Sequence, residues 1–242
     1  TPGDLGAQTF CAVDAQDVDD LLALYVVSGV AVAYDAATGG TAYTGSELLA
    51  DGNYFITNLD GGCESSVRLT VAVTVTSVAV PTASSPQAFC SINNPTVSSL
   101  SATGTSIQWY AAATGGAPLA GGTALVDGTT YYATQTLSGC ESDTRLAVSA
   151  TVSDPAAPTA AAAQSFCAID VPTIGDLVVT AGVNIQWYDN ATGGAPLGVG
   201  VALIGGEDYF ASQTVGGCES DTRSAAVTVT LDDPTTPGAL GA

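Results

Sequence analysis

Three observations predict an all-β chain built from three copies of one sandwich module. The tetrapeptide Gly-Cys-Glu-Ser occurs at Gly62-Cys63-Glu64-Ser65, Gly139-Cys140-Glu141-Ser142 and Gly217-Cys218-Glu219-Ser220, with cysteine intervals of 77 and 78 residues. A period this regular marks repeated domains, each of a size that can fold on its own. Each period carries short runs rich in Thr, Tyr and Val with two-residue alternation, and Gly-containing turns separate the runs. That is the pattern of strands in a two-layer sandwich.

The reading places module one at residues 1–80, module two at 81–155 and module three at 156–235, with 236–242 opening a junction to a further module. The last expectation rests on the ends: Thr1-Pro2-Gly3-Asp4-Leu5-Gly6-Ala7 is nearly repeated by Thr236-Pro237-Gly238-Ala239-Leu240-Gly241-Ala242. No signal peptide is visible and the chain has no methionine, so it reads as a segment of something longer. Proline-containing stretches at residues 81–86 and 154–158 read as short, stiff joints.

Each module opens with Gln-x-Phe-Cys, ending at Cys11, Cys90 and Cys167. In module two, Ile107-Gln108-Trp109-Tyr110 reads as a strand and Ala113-Thr114-Gly115-Gly116 as its turn. Thr129 to Thr136 reads as the next strand, and Leu146, Val148, Ala150 and Val152 alternate along the last. Module three repeats this with Ile185-Gln186-Trp187-Tyr188, Thr192-Gly193-Gly194 and Tyr209-Phe210. Its last strand alternates at Ala225, Val227, Val229 and Leu231, one residue later from its cysteine than in module two. A one-residue slip would turn the strand over, so a bulge near Ser224 is expected. Module one keeps Tyr34 and Thr38-Gly39-Gly40 but has Ala33 where the others have tryptophan. The four alanines at 160–163 are too few to nucleate a helix.

The formal charge is −20, from 23 acids against three arginines, with no lysine and no histidine. Such a chain lacks the cations that displace counterions from nucleic acid or hold anionic membrane surfaces. No apolar run approaches the ~20 residues of a membrane-spanning helix. The six cysteines fall two per module, Cys11 with Cys63, Cys90 with Cys140 and Cys167 with Cys218, at separations of 52, 50 and 51 residues. Equal pairs in equal modules read as one disulfide per module, each closing a loop of ~50 residues, and imply an exported, oxidising location.

The ordered units Gln-x-Phe-Cys, Ile-Gln-Trp-Tyr, Ala-Thr-Gly-Gly-Ala-Pro-Leu, Thr-Tyr-Tyr-Ala and Gly-Cys-Glu-Ser closely resemble the Ig-like repeats of giant cell-surface adhesins of the Bacteroidota, among them gliding-associated adhesins exported by a dedicated outer-membrane secretion system. All five are present in modules two and three; module one matches in part. The resemblance implies three tandem immunoglobulin-like β-sandwich modules forming a stalk or filament, and it supplies no catalytic residues.

Trp109 and Trp187 are candidate sugar-stacking platforms or, on the reading preferred here, core residues packed near a disulfide. Arg68, Arg145 and Arg223 are the only cations. Their fixed place in every module favours a structural role over ligand binding. Glu64, Glu141 and Glu219 precede them by four residues, which in a straight strand spans about 13 Å. Unless the chain bends, the arginine partner is a backbone carbonyl or the face of Tyr34, Tyr110 or Tyr188. Asp14, Asp17, Asp19 and Asp20 form the one cluster that suggests a metal, calcium by its oxygen ligands, against the plainer reading of solvated carboxylates. Asn190-Ala191-Thr192 is a formal glycosylation triplet.

With no histidine or lysine to activate a nucleophile, an enzyme is not expected. The leading reading is a structural and adhesive extracellular segment, the shaft of a secreted or surface-attached adhesin or filament. Its partners would be adjacent modules of a longer chain, or copies of itself in a fibre or hook. The alternative is a binding module that recognises a surface glycan or protein, with calcium as its only suggested cofactor.

Overall fold

The computed structural model describes residues 2–234; the junction expected at 236–242 lies outside them. The fold is all-β, and one strand order recurs. The first repeat contains β1 (Gln8–Cys11), β2 (Val30–Tyr34), β3 (Gly52–Asp60), β4 (Cys63–Glu64) and β5 (Leu69–Thr76), arranged β1-β5-β3-β2 with β4 folded back on β3. The second contains β6 (Gln87–Cys90), β7 (Gln108–Tyr110), β8 (Thr130–Thr134), β9 (Thr136–Leu137), β10 (Cys140–Glu141) and β11 (Leu146–Ser153), in the order β6-β11-β8-β7 with β9 and β10 as a separate hairpin. The third contains β12 (Ala163–Cys167), β13 (Ile185–Tyr188), β14 (Asp208–Val215), β15 (Cys218–Glu219) and β16 (Val227–Asp232), arranged β12-β16-β14-β13 with β15 on β14. In each repeat the opening strand is parallel to the closing one.

By its contacts the chain forms two compact units. One takes the residues up to 85 together with 101–120 and 130–148; the other takes 86–100, 121–129 and the residues from 149 onward. The boundary therefore runs through the second repeat.

The second layer of each sandwich is reduced to one bridge and a helical turn. In the first repeat Asp17 bridges Leu48, and Val18 N and Leu49 N donate to Glu47 O and Gln16 O. In the others Thr96 bridges Ala124 and Thr173 bridges Ala202. The turn that follows points apolar side chains inward at a fixed three-residue step. Val18 and Leu21, Val97 and Leu100, and Ile174 and Leu177 are all buried.

The alternation read from the sequence holds along the closing strands, where Val71 and Val73, Val148 and Ala150, and Val227 and Val229 face inward. In the third repeat the extra residue is absorbed before the ladder begins. Ser224 is buried, its N–H donates to Ala211 O (2.7 Å) and its hydroxyl accepts from Ala211 N (2.9 Å), and β16 starts only at Val227. Ala225 is exposed and outside the strand.

Where Ala33 replaces tryptophan, the bulk comes from elsewhere. Tyr43 donates its N–H to Ala33 O (2.9 Å), just as Leu119 and Leu197 donate to Trp109 O and Trp187 O. Tyr43 packs against the first core with its ring 5.2 Å from that of Tyr54. A tryptophan–leucine pair has become an alanine–tyrosine pair, a change that roughly conserves volume.

One expectation is corrected by the sheet geometry. The two cysteines of a repeat do not bond to each other. Cys11 lies level with Thr76 at the end of β5, whereas Cys63 lies beside Asp60, past the end of β3 that faces Leu69. The run from Leu69 to Thr76 alone covers about 23 Å of strand, far beyond the reach of a disulfide. The bonds formed are Cys11–Cys140 and Cys90–Cys218, with Cα separations of 5.3 and 5.2 Å. Each joins the opening strand of one repeat to the Gly-Cys-Glu-Ser hairpin of the next. Cys63 and Cys167 keep free, exposed thiols.

Candidate functional site

The recurring motifs converge on two structures, an arginine stack within each repeat and a junction between successive repeats. Arg68, Arg145 and Arg223 lie with the guanidinium carbon 3.4 Å from the ring centroids of Tyr34, Tyr110 and Tyr188. The same guanidinium reaches into the Gly-Gly turn. Arg68 Nη1 donates to Ala36 O (2.8 Å) and Gly39 O (2.5 Å), Arg145 Nη1 to Ala112 O and Gly115 O (both 2.7 Å), and Arg223 Nη1 to Asn190 O (2.5 Å). The turn needs glycine because Gly39 and Gly40, Gly115 and Gly116, and Gly193 and Gly194 all have positive φ. The stack thus fixes the turn to the strand that carries the tyrosine.

The preceding glutamate takes different partners. In the first repeat the chain bends between β4 and β5, so the 13 Å separation expected of a straight strand does not apply, and Arg68 Nε donates to Glu64 Oε1 (2.7 Å). That bond holds the Glu64 carboxyl below its ordinary value of 4.5. In the second repeat the Tyr110 hydroxyl donates to Glu141 Oε1 (2.7 Å), and in the third Tyr188 and Ser212 donate to Glu219 Oε1 (both 2.6 Å). The hydroxyls of Thr134 and Tyr110 beside Glu141 hold its carboxyl low. Burial, reinforced by the glutamate, pushes Tyr110 and Tyr188 above 10.0.

The first junction lies within the first compact unit. Beside the Cys11–Cys140 bond, Val13 lines a cleft of about 420 Å³ with Thr114, Gly115, Glu141 and Arg145, so the residue two past the opening cysteine meets the next repeat's arginine stack. The Ser77 hydroxyl donates to Asp143 Oδ2, Asp143 N to Val78 O (3.3 Å) and Gln135 Nε2 to Ala79 O (2.8 Å). The second junction, within the other unit, repeats the plan. Ile92 lines a cleft of about 470 Å³ with Tyr188, Gly193, Glu219 and Arg223. Asp221 N donates to Asp154 Oδ1 (3.2 Å) and Gln213 Nε2 to Ala156 O (2.7 Å).

The remaining candidates are placed as follows. Trp109 and Trp187 are buried, 8% and 6% exposed, so neither offers a stacking face to a sugar. Trp187 packs among Ile174, Leu177, Leu203, Tyr209 and Val227, a cluster that holds no cysteine; the expected position near a disulfide is corrected with the pairing. The four aspartates do not converge. Asp17 caps a one-turn helix (Val18–Leu22) by accepting from Asp20 N (3.1 Å), and Asp20 accepts from Asp17 N (3.0 Å). Asp14 sits at the end of a separate 3-10 turn, and among the described residues no three His, Cys, Asp or Glu side chains form a group that could hold a metal. The Asn190 side chain donates to Asp189 Oδ1 (2.7 Å).

Sequence reasoning missed the serine of Gly-Cys-Glu-Ser and the aspartate before the third strand. Ser142 and Ser220 are buried and close the hairpin onto Gln135 N and Gln213 N. Asp51 and Asp127 accept from Val75 N (2.6 Å) and Val152 N (2.7 Å), pinning the closing strands. Their fixed distance from the cysteines was the available signal. Also missed were Val13 and Ile92, unremarkable in composition and informative only by position.

Among the described residues no helix is long and apolar enough to cross a membrane. No curated protein matches the chain. A family model described as "Ig-like domain CHU_C associated" matches residues 79–153 and again 155–232, more than half of the sequence. Both spans contain the parallel opening strand, the antiparallel ladder and the Gly-Cys-Glu-Ser hairpin, and the chain belongs to this family of Ig-like domains.

Proposed function

We propose that the chain is a segment of an extracellular shaft, in which Ig-like repeats are joined end to end to hold a surface adhesin or filament away from its anchor. The observation that carries this reading is the doubled junction. At both, a disulfide, an apolar side chain against an arginine stack and linker hydrogen bonds occur together. Residues invested in joining neighbours twice over suit a part whose task is to transmit length and force. A binding module would place its distinctive side chains at an open site instead. The disulfides fit an extracellular or surface location. The absence of histidine and lysine fits a role without catalysis.

Small-angle scattering on the Cys63→Ser, Cys167→Ser chain tests this. Under oxidising conditions the expected maximum dimension is single-valued and independent of added glycans or calcium. After reduction of the two disulfides the distance distribution should broaden. A distribution already broad with both disulfides intact would overturn the shaft reading.

A further inference from the structure

Cys63 and Cys167 are the two cysteines without a disulfide, and they are of opposite kinds. Cys167 ends an opening strand, as do Cys11 and Cys90; Cys63 lies in a hairpin, as do Cys140 and Cys218. Every disulfide in the chain joins one kind to the other. We propose that Cys167 of one copy forms a disulfide with Cys63 of a second copy, extending the ladder of inter-repeat staples head to tail.

The surroundings of both thiols show unpartnered halves of the same junction. Cys140 and Cys218 are buried, at 4% and 7% exposure, whereas Cys63 is open. Around Cys63 the receiving elements are already assembled, with Arg68 stacked on Tyr34 and bonded to Ala36 O and Gly39 O. On the other side, Val13 and Ile92, each two residues past an opening cysteine, are 41% and 40% exposed where they meet the next repeat. Their counterpart Ile169 is 89% exposed. An isoleucine left this open beside a free thiol has the place of the side chain that fills the Gly-Gly cleft, and the first repeat's cleft is the one without an occupant among the described residues.

The chemistry needs an oxidant of the disulfide class, such as oxidised glutathione. The Cys63 thiolate attacks a glutathione sulfur, releasing one glutathione thiol and forming a mixed disulfide. The Cys167 thiolate of the second copy then attacks the Cys63 sulfur and releases the second. Two protein thiols lose two protons and two electrons, one S–S bond forms, and one glutathione disulfide becomes two thiols.

This inference rests on the shaft reading but is tested separately, because the scattering experiment uses a chain without free thiols. The chain, with its two disulfides intact, is incubated in a glutathione redox buffer at about 0.15 M salt to screen its acidic surface, then analysed by non-reducing electrophoresis and disulfide peptide mapping. The expected product is a ladder of multimers in which Cys63–Cys167 linkages exceed the two homotypic linkages together by about tenfold, as complementary faces require. Cys63→Ser and Cys167→Ser chains should each fail to form the ladder alone and should give dimers when mixed. Ile169→Ser, which leaves both thiols in place, should slow cross-linking by about fivefold through lost apolar contact. Linkages in random proportion, glutathione-capped monomers alone, or a Cys63–Cys167 bond within one chain would each overturn the proposal.

Discussion

The guanidinium of Arg145 lies flat over the ring of Tyr110 while its Nη1 bonds the carbonyls of Ala112 and Gly115 on the turn that follows that tyrosine. One side chain therefore reads both the strand and the turn, which explains why a sequence almost without cations keeps one arginine per repeat. Arg145→Ala removes the stack and leaves two carbonyls of the turn without their donor. Together these are worth about 2 kcal/mol. Arg145→Lys keeps the charge but loses the planar fork, so it should recover less than half of the loss. Chemical denaturation followed by tryptophan fluorescence checks both variants, with Arg68→Ala and Arg223→Ala expected to behave alike.

Much of the fold was legible because it is periodic. Leu146 to Val152 alternate as a half-buried strand must, and the Gly-Gly pairs mark turns that require positive φ. The arginine partners were legible too, since Tyr34, Tyr110 and Tyr188 hold fixed distances from the Gly-Gly turns. The disulfides were not. A spacing of 50 to 52 residues fits pairing within a repeat and pairing between successive repeats equally well, and only the sheet places Cys11 and Cys63 at opposite ends. The second layer was hard to see for a related reason: it is held by single bridges such as Asp17 to Leu48, too short to leave an alternation pattern. The aspartates at 14 to 20 misled because a capping box and a metal site draw on the same residue type.

The exchange of bulk between Ala33 and Tyr43 predicts a compensating pair. Ala33→Trp alone overfills a site where Ala33 is fully buried and should cost about 2–3 kcal/mol. Tyr43→Leu alone opens a gap beside Tyr54 and should cost about 1–2 kcal/mol. The double variant restores the tryptophan–leucine arrangement of the other repeats, so its cost should fall well below the sum. A double-mutant cycle measured by urea denaturation reads the coupling, expected at about 1–2 kcal/mol. Additive costs would show that the two positions do not share one space.

The glutamates and tyrosines set a pH window. The Glu141 carboxyl titrates below its unfolded value of 4.5, so its contribution is complete above that pH and is lost as pH falls through the lower folded value. Tyr110 and Tyr188 titrate above 10.0 when folded. Their contribution is complete below pH 10 and is lost as pH rises through the folded value. Stability should therefore be flat between about pH 5 and 9 and fall on both sides. Glu141→Gln should flatten the acid limb and leave the alkaline limb in place, as thermal melts across the range would show.

The Cys11–Cys140 bond closes 129 residues and yet is not needed to close any single sheet, because each ladder is complete without it. Its removal should consequently act on the junction rather than on the repeat. In a Cys11→Ser, Cys140→Ser chain, the amides of β3 and β5 should keep their protection from hydrogen exchange. The linker amides at 77–82 and the hairpin at 141–145 should exchange faster, by about tenfold or more, because the hydrogen bonds from Asp143 and Gln135 to Val78 and Ala79 lose the staple that orders them. Slowed exchange relative to this expectation, with the linker still fully protected, would mean that the hydrogen bonds and Val13 hold the junction without the disulfide. Loss of protection throughout β3 and β5 would mean instead that the first repeat depends on its neighbour to fold.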